Sequence, residues 1–443
     1  MVIEPSSFKG GINPGHYKIS AQKPITKASA PEKVYIPLQQ HIGAPCTPLV
    51  EKGEEVKLGQ KIGEGQGFVS APVHATVSGK VIDITDYTHP LGTEVPTIII
   101  ENDGQDELHP DIKGNGELED LSVDDLKNII KEAGIVGMGG ATFPTHVKLS
   151  PPDDKPIDTI IINGAECEPF LTSDHRTMVE HAEELVYGTK AIMKTVNCHN
   201  AYIGIEANKP DAIEKINELV KDDKNIEVAK LEVKYPQGAE KQLIETVTDR
   251  QVPSGGLPMD VGCIVSNTGT CVAIAKAIRE GVPLYERVVT ITGSGVEEPQ
   301  NLLVRIGTLA SEVIKECGGM TDNTKKVIMG GPMMGMSQPT THFPVIKGTS
   351  GILLLTDKEV ELPEEGPCIS CGRCIDGCPI SLLPNRIAEY SDHERYEDAE
   401  EYNALDCIEC GCCTFICPAK RFLLHHIRLA KNQIMARRRE EQK

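Results

Sequence analysis

The sequence predicts a multidomain α/β protein that ends in a small cysteine-rich domain. Short β segments broken by glycine and proline occupy residues 34 to 100, and apolar strands alternate with amphipathic helices from 118 to 284. Nine of the 15 cysteines lie between positions 368 and 417. Because 443 residues exceed one ordinary hydrophobic core, we expect these patterns to belong to separate domains.

The composition excludes several classes of protein. A formal charge of −20 argues against nucleic-acid partners, because phosphate binding needs clustered lysine and arginine. The chain has no apolar run of about 18 residues, and its start lacks the basic and apolar leader of a secreted protein. We therefore expect a cytoplasmic chain with reduced thiols, able to dock on a membrane complex.

Residues 1–105 predict an all-β unit. The spacing V-x-x-G-x-x-I-G from Val56 to Gly63, followed by a second β segment from Ala71, resembles a lipoyl-type barrel-sandwich hybrid. Carriers of that type present a lysine at the tip of a hairpin. Here the tip, Gly65 to Ser70, contains no lysine, so a structural role is favoured over a carrier role.

Residues 118–284 predict a parallel α/β domain. Ser122 and Asp125 form a capping pair at the start of an amphipathic helix, and the apolar run Ile157 to Ile162 begins a series of strands. Helices are expected over 176–195, 210–220 and 238–248, and such alternation is typical of a mainly parallel sheet. A strand from Val288 and a helix ending near Gly318 then predict a small α+β unit over 285–345, which looks like a β-grasp (SLBB-like) module.

Two copies of one cysteine motif predict two [4Fe–4S] clusters in a ferredoxin-like domain over 360–425. Each copy reads C-x-x-C-x-x-C-x-x-x-C-P, which is the bacterial two-cluster ferredoxin spacing. Three thiolates curl around one cube, while the Cys-Pro corner turns the fourth toward the other cube. The first cluster should have the ligands Cys368, Cys371, Cys374 and Cys417, and the second cluster Cys407, Cys410, Cys413 and Cys378. Zinc and disulfides are the disfavoured alternatives, and Cys412 is expected to be a spare thiol.

A glycine-rich loop is the second candidate site. It reads Gly137-Met-Gly139-Gly140-Ala-Thr-Phe143-Pro-Thr-His-Val-Lys148, follows a helix and does not match the dinucleotide fingerprint G-x-G-x-x-G. Its glycines would let backbone N–H groups approach a phosphate, and Lys148 could neutralise that phosphate. Taken alone, a plain turn is as good an interpretation as a cofactor loop.

The order of several motifs adds a family resemblance. This loop, Asn163-Gly-Ala-Glu166-Cys-Glu168-Pro, Tyr235-Pro-Gln-Gly238-Ala-Glu240 and Val265-Ser-Asn267-Thr268 resemble the flavin-bearing, NADH-oxidising subunit of respiratory complex I over about 120 to 280. The opening Phe8-Lys-Gly-Gly-Ile-Asn-Pro, the block Asn163 to Arg176, the segment Gly330-Gly-Pro-Met-Met-Gly335 and the double cluster motif extend it. Over nearly its whole length the chain resembles the RnfC subunit of the Rnf complex, a membrane ferredoxin:NAD+ oxidoreductase.

The resemblance implies residues for two ligands. Noncovalent FMN would be held by Gly137, Gly139, Gly140, Lys148, Asn163, Glu166, Asn267 and Thr268. NADH would contact Phe143, Glu168, Tyr235, Gly238 and Glu240. Complex I has two adjacent glutamates where this chain has Ala239-Glu240, so the ribose contacts should differ. No catalytic nucleophile or general acid is expected, because a flavin converts hydride transfer into single-electron transfer.

The resemblance also implies partners and a location. We expect an NAD-linked peripheral subunit on the cytoplasmic side of the membrane, next to the iron–sulfur RnfB subunit, with ferredoxin reached through an ion-translocating complex and no nucleic acid. Two other interpretations stay open at this point: a subunit of a soluble system, of the proline-reductase or hydrogenase diaphorase type, and a plain iron–sulfur carrier. The basic tail, 426–443, is expected to be a solvated helix end rather than a docking site.

Overall fold

The computed structural model describes residues 5–360 and 363–441. After a short strand, β1 (Ile25–Lys27), seven strands form two sheets in the orders β2-β8-β7-β4 and β3-β5-β6. Val34, Ile36 and Ile98 point into one core, as alternation along a strand requires, and the predicted barrel-sandwich is confirmed. The bounds are β2 Lys33–Pro37, β3 Thr47–Pro48, β4 Glu55–Val56, β5 Lys61–Glu64, β6 Val73–His74, β7 Gly79–Thr88 and β8 Glu94–Asn102.

The central domain is a four-stranded parallel sheet, ordered β11-β10-β9-β12, with helices on both faces. Ile160 and Ile162 of β9 pack in one apolar core and Ile161 in another, so this strand is buried on both faces. The elements are α1 Val123–Glu132, α2 Thr145–Lys148, β9 Thr159–Gly164, α3 Ser173–Glu180, α4 Ala182–Thr195, β10 Ala201–Glu206, α5 Pro210–Val220, β11 Ile226–Leu231, α6 Glu240–Thr248, β12 Cys263–Asn267 and α7 Thr268–Glu280.

Of two local predictions for this domain, the capping pair is confirmed and the single helix over 176–195 is wrong. Ser122 and Asp125 form a complete capping box, with the Asp125 N–H donating to Ser122 Oγ at 3.1 Å. The single helix expected over 176–195 is instead two helices, because the backbone of His181 leaves the helical region between them.

The part of the chain after the α/β domain forms most of a six-stranded sheet, in the order β1-β14-β13-β17-β15-β16. Its later elements are β13 Glu286–Thr292, β14 Gln300–Arg305, α8 Ala310–Glu316, β15 Thr324–Met329, β16 Met336–Gln338 and β17 Gly351–Thr356. β1 and β17 lie outside the range 285–345, so this sheet takes in more of the chain than that range covers. The reason is long-range pairing: β1 runs parallel to β14, and β17 parallel to β13.

The C-terminal domain is helical. It consists of α9 Arg373–Asp376, α10 Pro384–Asp392, α11 Tyr396–Glu401, α12 Cys412–Ile416 and α13 Leu423–Glu441. Ile427, Ala430 and Ile434 of α13 are buried in its core, so most of the range 426–443 belongs to this domain. Arg438 donates to Glu400 of α11 at 2.8 Å, an internal contact for part of the basic charge. None of the helices in the described ranges has the length and apolar character needed to cross a lipid bilayer.

Candidate functional site

The glycine-rich loop lies against the start of α7. Gly137 donates its N–H to the carbonyl of Phe143 at 2.9 Å, and Met138 donates to Thr270 Oγ1 at 3.0 Å. A Cβ added at Gly139 would lie 2.8 Å from the amide nitrogen of Asn267, whereas one at Gly140 would meet no atom within 4 Å. The loop therefore packs closely on Asn267 and then passes into open space.

Lys148 joins three elements beside this loop. Its ammonium on α2 donates to Glu240 Oε1, at the start of α6, at 2.8 Å and to the carbonyl of Val265 on β12 at 2.9 Å. Both side chains of the ion pair are part-exposed. The sequence separates Lys148 from Glu240 by 92 positions, so only the fold brings this charge pair together.

Two asparagines complete the edge of the sheet. Asn163 lies near the end of β9 and faces Asn267 across the pairing with β12. Asn163 donates to the carbonyl of Gly238 at 2.7 Å, and Asn267 donates to Asp174 at 2.9 Å. The hydroxyl of Thr268 is buried and has no hydrogen-bond partner in the described part of the chain.

These residues fit a phosphate-bearing flavin. They meet at the carboxyl ends of parallel strands, where open α/β sheets bind ligands. The opening beside Gly140, the ammonium of Lys148 and the unpartnered hydroxyl of Thr268 supply space, positive charge and a donor. Nearby, burial and then the charge of Glu166 raise the pKa of Asp174 to about 6, so the amide of Asn267 faces a carboxyl that ionises reluctantly.

The loop between β9 and α3, residues 165–172 and called here the β9 loop, contains two glutamates with internal partners. Glu166 accepts the N–H groups of Asp174 at 2.7 Å and His175 at 3.2 Å, at the beginning of α3. Glu168 accepts from Met333 at 3.1 Å and Met334 at 2.8 Å, in the loop between β15 and β16. Burial, the largest cause, raises the pKa of Glu168 to about 7. Glu168, expected to contact dinucleotide, thus anchors the neighbouring sheet in this structure.

Tyr235 also lies in a different setting from the expected one. Its side chain is only 1% exposed, and its hydroxyl donates to the carbonyl of Cys410 at 2.8 Å. It packs with Ile12 and Cys412. Its ring is therefore not open to a dinucleotide here but bridges the α/β domain and the cysteine-rich domain. Phe143 is half-buried beside the glycine-rich loop.

The eight motif cysteines form two groups. Cys368, Cys371, Cys374 and Cys417 line one cavity, which is walled only by residues from 368 to 423. In the second group, burial and then the neighbouring thiols Cys407, Cys410 and Cys378 raise the pKa of Cys413 to about 12. Each group draws its fourth cysteine from the other motif.

A single metal ion and a [4Fe–4S] cube need different arrangements of their ligands. No set of three histidine, cysteine or carboxylate side chains within 5–360 and 363–441 is placed to hold one ion. In a cube each thiolate binds a different iron, so four ligands stand farther apart than around one ion. Two groups of four thiols are what two cubes require.

Four family descriptions match consecutive parts of the chain. They are an RnfC barrel sandwich hybrid domain over 6–105, a Nuo51 FMN-binding domain over 130–276, an SLBB domain over 288–337 and a 4Fe-4S dicluster domain over 362–418. The chain is also 51% identical to the RnfC protein of the Na(+)-translocating ferredoxin:NAD(+) oxidoreductase complex of Acetobacterium woodii, over 99% of this chain and 100% of the relative. The chain belongs to the RnfC family.

Other RnfC relatives agree with this assignment. The corresponding protein of the proton-translocating ferredoxin:NAD(+) oxidoreductase complex of Clostridium ljungdahlii is 50% identical, with 96% of this chain and 94% of the relative covered. That of the ion-translocating oxidoreductase complex of Rhodobacter capsulatus is 40% identical, with 86% and 74% covered. The expected family, the four kinds of domain, and FMN with two [4Fe–4S] clusters as cofactors of an oxidoreductase subunit are confirmed.

Among solved structures, an NAD+-reducing [NiFe]-hydrogenase in the H2-reduced state has a similar fold. Its TM-score is 0.51 at 19% identity, with 72% of this chain and 63% of the hydrogenase chain covered. At this identity the likeness shows the fold alone.

Sequence reasoning missed several residues that shape the site. Asp174, the partner of Asn267, lies inside the recognised block 163–176, but its spacing gives no sign of that contact. Gln242 donates to the carbonyl of Pro379 at 3.2 Å, and Lys18 reaches the β9 loop. These contacts span more than 90 positions each, so no local pattern could have revealed them.

Proposed function

We propose that this RnfC chain is the peripheral subunit at which an ion-translocating ferredoxin:NAD+ oxidoreductase complex exchanges electrons with NAD(H). The activities named for the relatives at 51% and 50% identity support the reaction. The chain's own geometry supports the route. The flavin-site elements lie on the same domain that contacts the cysteine-rich domain.

The proposed flavin site comprises the glycine-rich loop, Lys148, Asn163, Asn267 and Thr268. FMN held there would supply the conversion between hydride transfer and single-electron transfer. Lys148 neutralises phosphate as a point charge, while the glycine backbone and the amides orient the ligand. Glu166 acts indirectly by holding the start of α3, where Asp174 meets Asn267.

The proposed dinucleotide site lies on the open side of the same loop. Phe143, Gly238 and Glu240 stay as its candidates, and Glu240 is the carboxylate best placed for a ribose because it is part-exposed and already beside Lys148. Glu168 and Tyr235 are reassigned: the first positions the loop at Met333, and the second holds the second cluster segment.

One observation carries the proposed order of cofactors. Tyr235 and Gln242 of the α/β domain donate to the carbonyls of Cys410 and Pro379, which lie at or beside ligands of the second cluster. The cavity of the first cluster is lined only by its own domain, and Cys368 and Cys371 are exposed. With the cofactors bound, this arrangement would place the second cluster between the flavin and the first cluster on the electron route.

The first cluster is the proposed exit toward a partner. Ile369, between two of its cysteines, is 64% exposed, which suits an apolar contact with another protein. We assign this face to the iron–sulfur RnfB subunit of the complex, with the chain bound peripherally on the cytoplasmic side of the membrane. Ferredoxin is reached through that complex.

The order is tested on whole protein purified without oxygen. After mixing with NADH, freeze-quench spectroscopy should show the second cluster reduced before the first. Cys417→Ala should still allow reduction of the second cluster, whereas Cys378→Ala should prevent reduction of the first cluster by NADH. If Cys378→Ala left the first cluster fully reducible by NADH, the order would be wrong.

A further inference from the structure

The segment 6–20, called here the N-terminal strap, precedes the barrel and touches both redox halves of the molecule. It starts with a single parallel β-bridge beside β11, in which the Ser6 N–H donates to the carbonyl of Lys230 at 3.1 Å and the Ser6 carbonyl accepts from Glu232 at 2.8 Å. It contains the motif Phe8-Lys-Gly-Gly-Ile-Asn-Pro, which the flavin and cluster chemistry does not explain.

The middle of the strap lies between Tyr235 and the second cluster corner. Ile12 and Tyr235 exchange backbone hydrogen bonds of 2.8 and 2.9 Å. Gly11 donates to the carbonyl of Gly377 at 3.2 Å, one residue before the proposed ligand Cys378. The strap thus bonds to the flavin-bearing domain on one side and to the Cys378-Pro379 corner on the other.

Close packing explains the two glycines. Both have positive φ, +81° at Gly10 and +76° at Gly11. A Cβ at Gly10 would lie 2.5 Å from the carbonyl oxygen of Cys378, and one at Gly11 would lie 2.7 Å from that of Tyr235. Ordinary contact begins at 3.4 Å, so a methyl group at Gly10 requires a shift of about 3.4 − 2.5 = 0.9 Å.

The far end of the strap contacts the β9 loop. The part-buried ammonium of Lys18 donates to the carbonyls of Glu166 at 2.7 Å, Glu168 at 2.8 Å and Leu171 at 2.6 Å. Phe170 donates its N–H to the carbonyl of His16 at 3.0 Å, and its ring stacks on Tyr17. Three carbonyls converge on one ammonium, so the β9 loop and the strap are tied together at Lys18.

We propose that the N-terminal strap sets the position of the second cluster relative to the flavin, with Gly10 and Gly11 as positioning residues. The inference rests on the proposed order of cofactors. One short segment is hydrogen-bonded to the β9 loop, to Tyr235 and to the cluster corner. A side-chain atom added at either glycine therefore shifts the cluster corner relative to the flavin-bearing domain. Neither glycine touches a reacting atom.

The test compares Gly10→Ala and Gly11→Ala with Gly104→Ala in the full chain. Gly104 is a matched control, because its φ is +72° and no atom lies within 4 Å of its added Cβ. FMN content, iron content and the rate of flavin bleaching by NADH should match wild type in all three. Reduction of the second cluster should slow severalfold in the strap variants only, because the rate of electron transfer falls as the separation of the two redox groups grows.

A readout independent of turnover is hydrogen exchange. Exchange should rise over 373–380 and 233–237 in Gly10→Ala and Gly11→Ala, but not in Gly104→Ala. Ile12→Ala, which keeps both glycines, is the second variant if iron is lost from the alanine variants, and its cluster reduction should also slow. Second-cluster reduction at the control rate in every iron-loaded strap variant would overturn the proposal. Reduction of the first cluster before the second in wild type would instead refute the proposed order itself.

Discussion

Removing the hydroxyl of Tyr235 should loosen the second cluster without changing the shape of its surroundings. In Tyr235→Phe the ring stays packed against Ile12 and Cys412, and only the 2.8 Å hydrogen bond to the carbonyl of Cys410 is lost. A buried carbonyl left without its partner costs about 1 to 3 kcal/mol. At about 1.36 kcal/mol for each factor of ten, local opening of this segment should become about 5- to 150-fold more frequent.

The assay should report local opening, because a multidomain protein with bound cofactors does not unfold in one step. We would measure the anaerobic release of iron to a chelator and hydrogen exchange over 407–413, with Tyr202→Phe on β10 as a control, because the apolar cluster of Tyr235 and Cys410 does not include Tyr202. Iron release should accelerate within that range for Tyr235→Phe, while FMN content stays unchanged. A rate within about twofold of wild type would refute the claim that this hydrogen bond holds the cluster segment.

The remaining predictions concern four single side chains. Lys148→Ala should lower the FMN-to-protein ratio after dialysis, because the phosphate loses its charge partner. Glu240→Gln should instead keep FMN and raise the NADH concentration needed for half-maximal bleaching. If either variant weakened FMN binding and NADH binding equally, the two proposed sites would be one merged site. Cys412→Ala should keep the iron content and both cluster spectra of wild type, and a fall of about half would make it a ligand. Burial raises the pKa of Glu168 from 4.5 to about 7, so between these pH values its carboxyl is protonated in the folded protein and ionised in the unfolded chain. The contribution of Glu168 to folding stability is therefore full below pH 4.5 and is lost as the pH rises to 7. Across this window the difference is about 3 kcal/mol, and hydrogen exchange over 331–335 should rise with pH in wild type more than in Glu168→Gln.

Much of the candidate site could be expected from local patterns. Asn163 and Asn267 each follow an apolar run at the end of a strand, and the carboxyl ends of parallel strands meet at one edge, so their proximity follows from topology. The cysteine motifs are local too, since residues three apart can curl around one cube. Which residues bind FMN, NADH and the two cubes stays a prediction that the proposed variants address.

Other parts depended on contacts that no local pattern encodes. Glu168 and Tyr235 stand in motifs that resemble nucleotide contacts, yet one accepts from the loop at Met333 and the other donates to Cys410. Both groups are largely withdrawn from solvent, and a buried polar group takes the partner that the packed neighbour offers. The strand β17 similarly belongs to the six-stranded sheet because it pairs with β13, a contact that no local pattern encodes.

By itself, the sequence determined the kinds of domain, the family and the chemistry, because these reside in short spacings: alternating apolar residues, glycines before Lys148, and two cysteine runs. Only the tertiary structure decided how the redox halves meet. The strap at Gly10 and Gly11, the hydroxyl of Tyr235 and the ammonium of Lys18 act across more than 140 positions, and their energies exist only once the chain has packed. Hydrogen bonds of this kind form only between groups that folding brings close together, so a linear pattern carries no sign of them.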